Sequence, residues 1–365
     1  MTASSAASQA TATAVSEAAG VGARADVRLS GTGRERRLAR GAGLAAAFVA
    51  LLAVSLLSIA VGSRPIAPGT VLHVLLHDDH SDARYVVWQL RIPRTLTGLA
   101  VGAALGTAGA LMQAVTRNPL ADPGLLGVNA GAAAAAALSI SVFGLTDPRV
   151  FVWCAFGGAA LAGAVLYLVA GGGRGNASPV RLALAGTAVS AALTGLTQAA
   201  MLINSNTLEQ MRFWTVGSLG AATNATLVEL LPFPAVGLAA ALLLARPLNA
   251  IALGDELGRA LGANLNRTRV LTLLAITLLA GSATAAVGPL TFVGLAVPHM
   301  VRALTGPDQR WVLPYCMVLA PALLLAADVI GRVIASQEID VGVVTALLGA
   351  PVFIVLVRRN RTGKL

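Results

Sequence analysis

The chain has 365 residues, of which 56% are hydrophobic and only 12% charged, and its mean hydropathy is +0.77. A soluble domain carries about a quarter charged residues, so this composition excludes a water-soluble enzyme or binding module and specifies an integral membrane protein. A formal charge of +10 is then read as arginine gathered in loops at one membrane face, not as a nucleic-acid surface.

In chain order, residues 1–40 are rich in Ala, Ser, Thr and Gly and end on Arg34, Arg36, Arg37 and Arg40. They are expected to form a disordered basic tail, and no cleavable signal is expected because the first apolar run begins only after them. That run, Gly41–Gly62, is the first span, and the basic cluster before it puts the N-terminus in the cytoplasm. Residues 63–93 read as an extracytoplasmic loop. In it His73, His77 and His80 fall at helical spacing beside Asp78, Asp79 and Asp82. Three such histidines on one helix face would suit a metal, but no second ligand cluster supports them, and polar surface is the reading adopted.

The second span is Thr95–Thr116, in which no residue is charged and Gly98, Gly102, Gly106 and Ala110 recur four apart. In lipid such a stripe of small residues lets another helix backbone approach closely. Asn118-Pro119-Leu120-Ala121-Asp122-Pro123-Gly124 then breaks the helix. The third span is expected over 123–146, the fourth over 150–173 and the fifth over 182–206. Residues 207–226 are too polar for a span and read as a short interfacial helix with Trp214 near headgroup level. The sixth span covers 226–244, the seventh 270–287, the eighth 290–301, the ninth 311–330 and the tenth 341–357. About ten spans with both termini inside leave nineteen Lys/Arg in inside segments and seven in outside ones, which agrees with that orientation. Arg94-Thr-Leu-Thr-Gly-Leu-Ala also aligns with Arg269-Val-Leu-Thr-Leu-Leu-Ala, and Gly106 and Ala108 with Gly281 and Ala283. The two segments run in opposite directions, as in an inverted transporter repeat.

Two absences limit the chemistry. The only lysine is Lys364, and a phosphate-binding loop needs a glycine-rich turn followed by Lys and Ser/Thr. If ATP drives the protein, another chain hydrolyses it. The spans also carry few polar groups, among them Gln113, Asn129, Gln198 and Asn204, with Asp328 and Glu229 only near an end. An ion-coupled carrier would need carboxylates or broken helices at the midplane, so a passive corridor fits better. Cys154 and Cys316 both lie in apolar runs and form no disulfide framework, and neither a cofactor nor a metal site is expected.

Arg-Ile-Pro-Arg-Thr-Leu (91–96), Gly-Ala-Leu-Met-Gln (109–113) and Asn-Pro-Leu-Ala-Asp-Pro-Gly-Leu-Leu-Gly-Val (118–128) resemble the FecCD family. These are the permease subunits of ABC importers for ferric siderophores, haem and cobalamin. The resemblance covers residues 40–360 and implies an all-α permease with an inverted repeat over 41–365. It implies two ABC ATPase subunits, an extracytoplasmic substrate-binding lipoprotein, and a second permease subunit, either another copy or a paralogue. Ferric siderophore is the expected cargo, with cobalamin or haem as the alternative, and the plasma membrane is the expected location.

The resemblance also distributes roles. Arg91, Arg94 and Arg332, the last within Ala-Asp-Val-Ile-Gly-Arg (327–332), match outer arginines that meet acidic residues on the binding protein. Arginine pairs bidentately with carboxylates, although interfacial snorkelling would equally place such residues there. Gly254, Asp255, Glu256, Leu257, Arg259, Leu261 and Gly262 form the candidate ATPase-coupling helix. The acidic start and basic next turn also suit a short helix by the macrodipole argument. His299, in Pro298-His299, is placed near the ATPase-facing surface as a hydrogen-bonding group at a helix end. Gln198, Asn204 and Trp214 are expected along the translocation path, with Asn176 and Ser178 at its gate.

Overall fold

The computed structural model describes residues 33–362 apart from 64, 79–80, 170–178, 222, 261 and 336. Most of the expected tail, the gate residues Asn176 and Ser178, and Leu261 and His80 therefore lie outside the described residues. By its contacts the chain divides after Ala45 into a short N-terminal unit and Ala46–Leu365.

Every regular element among the described residues is helical. In order they are α1 (Gly33–Ala60), α2 (Pro68–Leu76), α3 (Asp82–Thr116), α4 (Val128–Ser141), α5 (Pro148–Val169), α6 (Pro179–Ile203) and α7 (Ser205–Trp214). There follow α8 (Asn224–Leu230), α9 (Pro232–Ala252), α10 (Asp255–Ala260), α11 (Leu265–Val287), α12 (Val293–Thr305), α13 (Gln309–Val333) and α14 (Val341–Thr362). Seven stretches are long and apolar enough to cross a bilayer: α1, α3, α5, α6, the α8–α9 run, α11 and α13.

The third, eighth and tenth expected spans are shorter. α4 has 14 residues and α12 has 13, about 20 Å each against a bilayer core of roughly 30 Å. α4 starts late because Asp122 caps a 3-10 turn, Pro123–Leu126, its carboxylate accepting from Gly124 N at 2.8 Å. α12 starts late because Gly288 and Phe292 both take left-handed backbone before it. The apolar part of α14 is Val341–Ile354. Elsewhere helix replaces expected loop. α9 continues through Arg246-Pro247 to Ala252 instead of ending at Leu244. The 63–93 loop is largely helical, with α2 held to the start of α3 by Arg84, which donates to the Val74 and His77 carbonyls at 3.0 Å each. Trp88 Nε1 donates to that same Val74 carbonyl at 3.0 Å. In the stretch expected to hold a short helix stands α7, capped by Asn204, whose side chain accepts from Thr207 N at 3.1 Å.

α3 lies at the centre of the bundle, and its long apolar window is 89% buried. Its glycine stripe meets α13: a Cβ at Gly98 would strike Leu325, at Gly102 the backbone of Pro321, and at Gly106 Ala320. One turn on, a Cβ at Gly109 would collide with the Gly294 carbonyl of α12. α11 and α9 pack on the remaining sides, and α4 crosses α5 where Gly131 and Gly158 face each other's carbonyls. Several hydroxyls inside the spans are turned back onto their own helices. Thr116, Thr272 and Ser282 each donate to a carbonyl four residues earlier, at 2.6, 2.7 and 2.6 Å. This leaves few polar groups to satisfy in lipid.

Gly109→Ala is expected to destabilise the fold by about 1–3 kcal/mol, the range for forcing atoms into a filled core. Gly157→Ala, where a Cβ meets nothing within 4 Å, is the control. Thermal unfolding in detergent measures both, and equal melting temperatures would refute the close α3–α12 contact.

Candidate functional site

Charged side chains are concentrated at the two ends of the regular α-helical stretch of α3, Ile92–Thr116. At one end Asp328, fully buried in α13, accepts from two arginines. Arg94 donates to it from Nε at 3.1 and 3.2 Å and from Nη2 at 2.8 Å, a bidentate pairing. Arg332, one turn along α13, closes on its second oxygen at 3.0 Å. Arg332 also donates to the Ser58 and Val61 carbonyls of the α1 end at 2.9 Å each and to the Ser58 hydroxyl at 2.8 Å. Arg91 donates to the Ile59 and Ala60 carbonyls at 3.0 and 2.7 Å. Arg91 ends a stretch, Val86–Arg91, that is wound as a π-helix. The three sequence-predicted docking arginines are thus brought together, each with partners inside the chain.

Glu338, in the loop after α13, completes this cluster. It accepts from Arg94 Nη1 at 2.8 Å and from the Ser63 hydroxyl at 2.6 Å. A cavity of about 340 Å³ opens here, lined by Ser63, Gln89, Arg91, Arg94, Arg332 and Glu338. Three guanidiniums against two carboxylates leave it one positive charge. Burial acts to raise the Glu338 carboxyl, but the hydrogen bonds from Ser63 and Arg94 outweigh it and hold it below the usual range. A depressed carboxyl stabilises the fold above its unfolded value near 4.5, and that contribution is lost as pH falls through the lower folded value.

At the other end of α3 stands a second Arg-Asp-Arg arrangement. Asp255 opens α10 and accepts from Arg269 of α11 at 2.9 and 3.0 Å, and from Arg117 at the end of α3. Arg117 is the C-cap of α3 with φ 52°, and this left-handed turn aims its side chain at α10. Burial acts to raise the Asp255 carboxyl, and the hydrogen bonds from Arg269 and Arg117 more than reverse it, so it stays ionised below its usual range. Gly254 and Gly262 flank α10 at φ 108° and 80°, a conformation that a side chain would strain. Gly258 packs the underside against the Ala250 carbonyl and Leu265, whereas Glu256, Leu257 and Arg259 are exposed. The predicted coupling helix therefore divides: Asp255 faces inward beside Gly258, a residue outside the predicted set, Glu256, Leu257 and Arg259 form an exposed rim, and Gly254 and Gly262 are its flanking turns. Close by, Asn249 of α9 donates to Asp308, the N-cap of α13, at 2.6 Å.

His299 is half-buried in α12. One turn beyond it, Arg302 donates to Gln113 of α3, whose amide donates to the Gly294 and Leu295 carbonyls at 3.3 Å each. Of the expected path residues, Asn204 is occupied as the cap of α7 and Gln198 is exposed on α6. Trp214 ends α7, its ring edge-on to Phe151 at 5.7 Å and its Nε1 buried without a partner. It borders a cavity of about 420 Å³ lined also by Phe151, Gln210, Phe213, Ser218 and Asp340. The chain beyond it threads between helix ends: Ser218 N donates to the Val287 carbonyl at 2.8 Å, and Gly342 N to that of Gly217 at 3.1 Å. His73 and His77 stack at 4.7 Å between ring centroids.

A sequence profile of the FecCD transport family matches residues 50–359. The chain belongs to this family. Among its relatives it is 48% identical to the ferric enterobactin transport system permease protein FepD of Escherichia coli (strain K12), over 86% of this chain and 94% of that one. It is 40% identical to the Fe(3+)-citrate import system permease protein YfmD of Bacillus subtilis (strain 168), over 84% and 92%. It is 36% identical to the hemin transport system permease protein HmuU of Yersinia pestis, over 85% and 95%. A solved structure described as an inward-facing conformation of a metal-chelate type ABC transporter superposes with a TM-score of 0.77, at 26% identity, over 87% of this chain and 98% of that one.

In this FecCD protein, sequence reasoning missed the carboxylates. Asp328 and Glu338 decide what Arg94 does, and neither spacing nor composition connects it to residues 234 and 244 positions away, whereas the Asp328–Arg332 pair is four apart on one helix and within reach of spacing. Arg269 did carry a signal, since it is the residue that aligns with Arg94 in the internal repeat. Each of these aligned arginines grips an aspartate, at opposite ends of the paired helices α3 and α11. Asp328→Asn leaves two buried guanidiniums short of their counter-charge and is expected to cost about 3–5 kcal/mol. Glu338→Gln, at a side chain 39% exposed, is expected to cost under about 1 kcal/mol because solvent screens it. Melting temperatures in detergent compare them, and similar losses would refute the burial argument.

Proposed function

We propose that the chain is the permease subunit of a binding-protein-dependent ABC importer that carries ferric siderophores across the plasma membrane, with ATP hydrolysed on separate subunits. The observation that supports this best is the pairing of an exposed knob, α10, at one end of α3 with an arginine-lined cavity at the other. A permease needs both, one for the ATPase and one for the delivering protein. In this reading the short helices α4, α12 and α14 complete ten crossings, with the inverted repeat relating α3 to α11 and both termini cytoplasmic. The Asp255 end is then cytoplasmic and the Arg94 end faces outward. Two permease subunits, identical or paralogous, enclose the path, with Gln198, Asn204 and Trp214 along it and Asn176 and Ser178 near its gate. Two ATPase subunits take the rim Glu256, Leu257 and Arg259, with Leu261, Gly262 and His299 nearby. A substrate-binding lipoprotein docks its carboxylates on Arg91, Arg94 and Arg332. Because Arg94 already holds Glu338, docking exchanges one carboxylate for another. The cavity beside Trp214 belongs to the entrance of the path. ATP-driven closure of the ATPase subunits would swing the two halves between outward and inward access.

The cargo rests on similarity to permeases for ferric enterobactin and ferric citrate. The hemin permease relative favours haem as the second reading. Deletion of the gene is expected to abolish uptake of radiolabelled iron supplied as ferric enterobactin or ferric citrate, and to leave hemin and labelled cobalamin unaffected. Loss of hemin or cobalamin uptake alone would replace the cargo and keep the mechanism. Glu256→Arg is expected to leave the protein in the membrane at normal amounts while uptake falls and the ATPase subunits no longer co-purify.

A further inference from the structure

We propose that Asp255 is the strut that fastens the α10 knob to the α3–α11 pair, so that movement of the knob moves both helices. The inference rests on the reading of α10 as the ATPase-coupling element and assigns one residue in it a different task from its neighbours. Asp255 does not face outward with Glu256, Leu257 and Arg259. Its carboxylate turns back and receives guanidiniums from two helices, Arg117 at the end of α3 and Arg269 in the first turns of α11. The geometry is built for this contact. Arg117 reaches it only through a left-handed turn, φ 52°, that residues with a side chain rarely adopt. Arg269 is only 14% exposed, and both its described ion-pair contacts are to Asp255. Beneath the knob, Gly258 lies against the Ala250 carbonyl and Leu265, on the same inward side as the Asp255 contact.

The pairing adds little to overall stability, because Asp255 and Arg117 are each more than a third exposed and water screens them. What it supplies is position. The two flanking glycines would otherwise leave a six-residue helix hinged at each end. A push delivered to a hinged knob would be absorbed by the hinges. Delivered to a clamped one, it reaches α3, the most buried helix of the bundle, and α11 beside it. Asp255 is thus a positioning residue acting through Arg117 and Arg269, and it needs no contact with the ATPase.

The test uses the whole complex, purified through a tag on the permease from its own cells and reconstituted in liposomes. Transport of radiolabelled ferric enterobactin and ATP hydrolysis are measured on the same preparation. In Asp255→Asn the ATPase subunits are expected to remain attached, while iron carried per ATP hydrolysed falls about ten-fold, a typical size for the coupling between two sites. Asp255→Glu should recover most of that ratio, and trypsin should cut at Arg259 faster in Asp255→Asn than in the wild type. A wild-type ratio in Asp255→Asn would overturn the inference. So would loss of the ATPase subunits from it, since Asp255 would then be shaping the docking surface itself. If Asp255→Asn fails to reach the membrane, Arg117→Gln, at the exposed side of the clamp, carries the same expectations and the same two refuting outcomes. Glu256→Arg separates the two levels: if it keeps both subunits and transport, the coupling reading of α10 fails, and the strut fails with it.

Discussion

A helix with almost no side chain along one face lets another backbone reach it, and α3 depends on this. Gly98, Gly102 and Gly106 bring α13 against it, and Gly109 brings α12. Between apolar helices in lipid there is little hydrophobic gain left to make, so association rests on close packing. α13 carries Pro321 where it crosses Gly102, and the two fit because one lacks a side chain where the other has a ring. Once α13 lies on α3, Asp328 comes opposite Arg94, and the charged cluster at that end follows from the packing.

The charges take the places where helices must be held in register. Asp328 joins α3 and α13, and through Arg332 the end of α1. Asp255 joins α10, α3 and α11. Asp308 and Asn249 join α9 and α13. Each is a carboxylate with more than one donor, and each lies near a helix end, where the cost of burying charge is least. Between them the bundle is held by glycine contacts, and several hydroxyls are satisfied within their own helices. A body that is apolar in its middle and pinned at its ends suits rigid movement of whole helices, which is how alternating access works.

Much of the fold was legible in the chain. Apolar runs broken by Pro, Gly and charge located every long helix, and the small-residue stripe announced a close neighbour for α3 without saying which. Helix ends were less legible. Phe292 takes a left-handed conformation, and α9 runs on through Pro247, where the local sequence points to a break. Of the candidate site, the arginines and the α10 knob stood out, because charge is rare in this composition and two glycines bracket the knob.

By itself the sequence determined that this is a helical membrane protein without its own phosphate-binding loop, and which family it belongs to. Both are properties of composition and of local order, which a linear chain carries in full. Tertiary structure decided that Asp255 faces inward while Glu256 faces out, that Glu338 holds Arg94, and that Asn204 is a helix cap. The Asn204 cap is a local bond from Thr207 N, but the first two depend on partners far along the chain, Arg117 for Asp255 and Arg94 for Glu338. Only the packing of the folded chain brings such partners together.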